Sequence, residues 1–135
     1  MRLFIDGEWN GYGGELLSFA LIAEDFNCWY EVFPLPQSLG LGVAMNVVPQ
    51  LRKEPISIPE AQRSLEKFLA QFDAIHVVAD WPEDIARFCD LLVTGPGERI
   101  NTPPLTLEVL RVDTVSLNPH NALADATALM TWCCK

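Results

Sequence analysis

Over the first quarter of the chain, apolar residues run in short blocks between polar turns. Further on they recur mostly at helical spacing. Leu3-Phe4-Ile5 runs into Asp6-Gly7-Glu8 and predicts a first strand over residues 3–8. The glycine-rich stretch Trp9-Asn10-Gly11-Tyr12-Gly13-Gly14 predicts a turn. Glu15 to Ala23 reads as a second strand, and Asn27 to Phe33, with Trp29, Tyr30, Val32 and Phe33, as a third. Short turns between the three predict an antiparallel meander.

Pro34 to Pro55 breaks the pattern, with four of the ten prolines and two of the eight glycines. A short helix at about Ala44 to Leu51, interrupted at Pro49, fits within a segment long enough to be a functional loop or lid. Ser57-Ile58-Pro59-Glu60 then has the form of a capping box, with proline in the first turn where no hydrogen bond is lost. Ala61, Leu65, Phe68, Leu69 and Phe72 follow as one apolar helical stripe. Ala74 to Ala79 predicts a strand buried on both faces. Asp80 to Pro82 opens another helix, with Asp80 as the candidate N-cap. Its apolar stripe is Ile85, Phe88, Cys89 and Leu92, and Gly95-Pro96-Gly97 ends it. A strand is expected over Leu107 to Val112, and Asn121 can cap a last helix with a slim, alanine-rich body. The order β-β-β-α-β-α-β-α predicts an α/β domain with a mixed five-stranded sheet and helices on its faces. Its parallel strands should be joined by right-handed crossovers.

Composition narrows the class. One domain of 135 residues, half of them hydrophobic and a fifth charged, is enough for a real core. No apolar run approaches the ~20 residues of a membrane span. With the first strand starting almost at Met1, a cytoplasmic protein without a cleaved leader is expected. Cys28 and Cys89 fall in apolar patterns and read as small core residues, while Cys133-Cys134 read as two ordinary thiols. The net charge of −9 argues against a nucleic-acid partner, unless some of the acids carry metal ions that meet the phosphates.

The acids give that exception substance. Residues two apart on a strand share a face, so Asp6 and Glu8 aim into the same space, roughly 6–7 Å apart at the backbone. Gly7 between them leaves room for a close approach to the main chain. Two carboxylates at the end of a buried strand repel each other, and a hard divalent cation with oxygen ligands removes the repulsion. Asp84 sits at the border of a buried stripe, whereas Asp80 and Glu83 have an ordinary explanation at a helix N-terminus. Asp125 lies among small and apolar residues, and His120, in the loop before the Asn121 cap, can lean towards the same cavity. Trp9 follows the acid pair directly, where it can stack on a base or simply cover the sheet edge.

Asp6-Gly7-Glu8, the stretch Val77 to Phe88, and His120-Asn121-Ala122-Leu123-Ala124-Asp125-Ala126 together resemble the three motifs of the DnaQ-like 3′–5′ exonucleases. More narrowly they are similar to the DEDDh branch and its small RNase T-like exoribonucleases. The resemblance implies a ribonuclease-H-like fold over essentially the whole chain. It puts Asp6, Glu8, Asp84 and Asp125 on two divalent metal ions, Mg²⁺ or Mn²⁺, and makes His120 the general base. Gly7 and Trp9 become candidates for substrate binding. The implied partner is nucleic acid, RNA 3′ ends or also DNA, and a homodimer is among the assemblies allowed. Two places depart from the family pattern: Trp9-Asn10 replaces the usual Thr or Phe followed by Thr, and Asp80 stands where Asn is common, an extra acid that can bind metal or substitute for Asp84. The expected activity is a two-metal 3′–5′ exoribonuclease. The alternatives are a DNA exonuclease and a non-catalytic nucleic-acid-binding module.

Overall fold

The computed structural model describes residues 1–135. A five-stranded mixed sheet carries helices on both faces. Its strands are β1 (Arg2–Trp9), β2 (Leu16–Ala23), β3 (Cys28–Val32), β4 (Ile75–Ala79) and β7 (Leu105–Val109), in the spatial order β3-β2-β1-β4-β7. The first three form the expected antiparallel meander, and β4 and β7 add in parallel on the other side of β1. β1 is therefore the central strand.

Alternation along β1 sorts the core into two layers. Leu3 and Ile5 pack with Phe19, Leu21, Val77 and Ala79 beneath α2 (Ile58–Leu69) and α3 (Pro82–Leu92). Phe4 packs on the opposite face with Ala20, Ile22 and Val78 beneath α4 (Ala122–Cys133), through Ala122, Ala126, Leu129 and Met130. Asp6 and Glu8 continue the Phe4 row and so face the α4 layer.

The helix starts follow from sequence. The Ser57 side chain accepts from the Glu60 amide at 3.3 Å, and Pro59 lies in the first turn of α2. The Asn121 side chain accepts from the Ala124 amide at 3.0 Å and caps α4 as expected. At α3 the cap is Trp81, without a side-chain hydrogen bond, rather than Asp80. Asp80 stays outside the helix with its carboxylate uncommitted to capping. The buried stripe of α3 is Asp84, Phe88 and Leu91, turned by one residue from the expected one, so an acid occupies a core position. Phe72 lies beyond α2 and meets Phe68 edge to face, with ring centroids 5.6 Å apart.

The prolines and glycines placed the loops less well. The 34–55 segment holds α1 (Leu41–Asn46) and then a 3₁₀ turn, Val48–Gln50, which accommodates Pro49 at its start. Gly95-Pro96-Gly97 turns a small hairpin between β5 (Val93–Gly95) and β6 (Glu98–Arg99), not foreseen from sequence. The last sheet strand begins two residues earlier than expected and ends at Val109. Cys28, on an edge strand, is exposed and Cys89 is half-buried, so neither is a core residue. No helix is long and apolar enough to cross a membrane.

The 34–55 segment is fastened at the end of the sheet where the acids lie. A bulge beside Glu8 and Trp9 leaves Leu17 without a partner on β1, and Leu17 packs with Val32, Val47 and Leu51 into a third small core. Asn10 donates to the Ser38 carbonyl at 2.7 Å and accepts from the Gly40 amide at 3.0 Å. Tyr30 donates its hydroxyl to the Leu51 carbonyl at 2.6 Å, and the Asn121 side chain donates through Nδ2 to the Gln50 carbonyl at 2.7 Å. The segment is thus pinned by the residue two beyond Glu8 and by the residue just after His120.

Candidate metal centre

β1 outruns its neighbour. Its pairing with β4 ends at Phe4–Val78, so the last half of β1 has no strand on that side. The first turn of α3 fills the gap, and Asp84 Oδ1 accepts a 3.1 Å hydrogen bond from the Gly7 amide. Asp80, immediately after β4, and Asp125, in the first turn of α4, complete a ring of five acids around the end of the central strand.

The ring divides into two groups. Ligand-capable oxygens of Asp6, Glu8 and Asp125 lie within 4.8 Å of one another, as do those of Asp6, Asp80 and Asp84. Asp6 belongs to both. Its Oδ2 is buried and has no hydrogen-bond partner. A buried, unpaired carboxylate oxygen costs several kcal/mol of desolvation on the order-of-magnitude scale. In each group three convergent carboxylate oxygens form a donor set suited to a hard divalent cation such as Mg²⁺ or Mn²⁺.

The electrostatics follow from this crowding. Burial pushes the Asp6 carboxyl well above its ordinary range, and the charges of Asp84, Glu8, Asp125 and Asp80 push the same way. Glu8 is raised to about 8, by burial first and then by Asp125 and Asp84. Asp84, only 1% exposed, is also raised to about 8 by burial, against the pull of the Gly7 amide. Burial raises Asp125 and Asp80 too, with Ser116 and Glu8 opposing it at the first and Arg111 at the second. The leading charges on Asp6, Glu8 and Asp84 are those of the other acids. The protein supplies the negative charge and leaves its compensation to something else.

His120 lies in a tight turn just before α4. Asn118-Pro119-His120-Asn121 is a turn closed by a 3.2 Å bond from the Asn121 amide to the Asn118 carbonyl. His120 is its third residue, with φ 68°, a position that usually selects glycine. The side chain is exposed, and both its charge and its backbone amide act on Asp125.

Two expectations need correction. Gly7 is not an open approach to the main chain: a Cβ there would come 2.8 Å from the Phe19 ring and 3.4 Å from the Trp9 ring. The space is filled from the opposite face, and the Gly7 amide is taken by Asp84. That amide fixes Asp84. Trp9 lies on that same opposite face, away from Asp6 and Glu8, with the Arg87 guanidinium 5.3 Å from its ring centroid. The bulge does not swing it over the acids.

Asp80, which the sequence offered both as a helix cap and as an extra acid at the site, joins Asp84 in the second acid group rather than replacing it. Arg111 was missed altogether. Its guanidinium comes within 3.9 Å of Asp80 Oδ2 because β7 runs parallel beside β4 and the Leu110 amide bonds to the Ala79 carbonyl at 2.7 Å. A 31-residue separation in sequence hides that pairing. The chain matches no protein-family model and no curated protein, and what the site can do follows from its own geometry.

Proposed function

We propose that this protein is a metal-dependent 3′–5′ exoribonuclease of ribonuclease-H-like fold, acting on short single-stranded RNA or 3′ overhangs like the DnaQ-like enzymes its motifs resemble. One observation carries the reading: two carboxylate groups that share Asp6 and its orphaned Oδ2, with His120 beside one of them. The strand order supports it, with the acid-bearing β1 in the middle, two antiparallel strands on one side and two parallel strands on the other.

Asp6, Glu8 and Asp125 would hold one divalent ion, and Asp6, Asp80 and Asp84 the other. Bound there, the two ions would supply the positive charge that the scissile phosphate needs. Asp6 sets the spacing of the two positions by belonging to both. Gly7 holds Asp84 in place through its amide. The remaining chemistry is an in-line displacement, in which water attacks phosphorus and the bond to the 3′-oxygen breaks. His120 accepts the proton of the attacking water, a task matched to imidazole near neutral pH. The departing oxygen takes up a proton, leaving a shortened chain with a 3′-hydroxyl and a released nucleoside 5′-monophosphate. His120 is exposed, so it can pass its proton to solvent afterwards.

The choice of RNA rests on the resemblance. The test uses 5′-end-labelled RNA and DNA oligomers with Mg²⁺, Mn²⁺ or chelator. A ladder shortening from the 3′ end, stronger on RNA and abolished by chelator, is expected. Cleavage that survives chelation, or none on either polymer, would sink the assignment, and faster digestion of DNA would move it to a DNA exonuclease.

A further inference from the structure

Five acids around two ions leave a charge imbalance. Five ionised carboxylates around two divalent cations retain one negative charge, before a phosphodiester brings another. The chain as a whole is acidic, at −9. A site of that charge repels its own substrate unless a protein cation stands at its rim.

Arg111 meets that need. It leaves β7 beside Asp80 as Asp80 leaves β4, since Val109 pairs with Ala79 at the ends of the two strands. Its side chain is 61% exposed. It donates to the Val112 carbonyl at 2.8 Å and stands 3.9 Å from both Asp80 Oδ2 and Asp113 Oδ1, beyond hydrogen-bonding distance of either. The guanidinium is therefore held near the acids without being committed to them. Other cations are committed: Arg87 to Glu83 at 3.3 Å and to the Trp9 ring, Lys53 to Glu31 at 2.7 Å, and Arg2 to Glu24 at 3.2 Å. Arg111 lowers Asp80, and His120 does the same for Asp125.

We propose that Arg111 is a phosphate-binding residue, held beside Asp80 at the rim of the site and turned to the substrate phosphate when an ion takes the Asp80 carboxylate. The proposal rests on the function given above and goes beyond it in naming the group that grips the substrate. A guanidinium presents a planar fork of donors that matches two phosphate oxygens. At the rim of the site, such a group grips the substrate through one phosphate.

The test needs no turnover. Binding of Mn²⁺ alone, and of a nucleoside 5′-monophosphate to the Mn²⁺-loaded protein, is measured for wild type, Arg111→Ala, Arg111→Lys and Asp80→Ala. Arg111 is exposed in an irregular segment, so its variants should fold. Arg111→Ala is expected to bind Mn²⁺ at least as well as wild type but the monophosphate about 10–100-fold more weakly, the worth of a charge-assisted pair. Arg111→Lys should fall between, and Asp80→Ala should weaken Mn²⁺ itself. Equal monophosphate binding by wild type and Arg111→Ala would overturn the proposal. So would a loss of Mn²⁺ in Arg111→Ala as large as that in Asp80→Ala. Loss of oligomer hydrolysis is read separately: if no oligomer is cleaved while Arg111-dependent monophosphate binding persists, the nuclease reading fails and the phosphate site stands.

Discussion

Asp6 carries the largest conflict between stability and function at the scale of a single residue. It is half-buried among four other acids, with one carboxylate oxygen buried and unpartnered, an arrangement that destabilises the fold when no cation is bound. Asp6→Asn removes the charge and keeps the shape. With chelator present its melting temperature should exceed that of wild type by several degrees, at about 1 kcal/mol or more relieved. In Mg²⁺ its hydrolysis of labelled RNA should be undetectable. Wild-type turnover by this variant would remove Asp6 from the metal centre. His120 poses the same conflict in its backbone, since φ 68° costs a non-glycine residue about 1–2 kcal/mol. His120→Gly should melt no lower than wild type, because relief of that strain offsets the added freedom of the unfolded chain. Its chemical rate should fall about 10²–10⁴-fold with Mn²⁺ affinity nearly intact. If Mn²⁺ binding collapses with the rate, the histidine is a ligand rather than a base.

Elements position these residues through contacts that are easily upset. β1 and β2 approach so closely at Gly7 that a methyl group there would meet the Phe19 ring at 2.8 Å. Gly7→Ala should cost about 1–3 kcal/mol by overpacking. It should also weaken Mn²⁺ binding, because the Gly7 amide holds Asp84. Adding Phe19→Leu, which trims the ring, should recover part of both losses. If the double variant is no better than Gly7→Ala alone, the ring is not what the glycine serves. α4 depends in a similar way on Asn121, which caps the helix and also ties it to Gln50 in the 34–55 segment. Asn121→Ala should lower stability by about 1–3 kcal/mol through the lost cap and the lost hydrogen bond. Since Asp125 and His120 flank Asn121, hydrolysis should fall by more than the melting temperature alone explains. Wild-type kcat in a destabilised Asn121→Ala protein would show that the segment serves the fold only.

The whole molecule should respond to pH with a sign that metal reverses. Glu8 and Asp84 have folded-state values raised to about 8, far above those of the unfolded chain near 4. Between those values the folded protein holds protons that the unfolded chain has released. Stability is therefore greatest near the acid end of that window and falls as pH rises through about 8. Chelated protein should melt at a higher temperature at pH 5 than at pH 8. Ion binding needs the carboxylates deprotonated, so the effect of Mg²⁺ should grow over the same interval. At pH 8, a concentration about one hundred times Kd should raise the melting temperature by on the order of 10 °C. Melting that rises with pH under chelation, or that ignores Mg²⁺ at pH 8, would mean the acids are not a metal centre.

What the sequence determined by itself was whatever depends on near neighbours in the chain. Alternation in β1 assigned Asp6 and Glu8 to one face, Ser57 and Asn121 marked two helix starts, and the apolar blocks yielded the order of the five sheet strands. What only the tertiary structure decided lies where separate segments meet. The early end of β4 pairing left the Gly7 amide for Asp84, so a residue read as an opening proved to be a filled and hydrogen-bonded position. The cap of α3 fell on Trp81 and released Asp80 to the acids. Parallel pairing of β4 with β7 brought Arg111 to Asp80 across a 31-residue gap that no local pattern encodes. Local spacing fixes the face a side chain occupies, because backbone geometry repeats every two or 3.6 residues. Which groups converge on one point depends on register and strand ends, which are set only when the whole sheet closes.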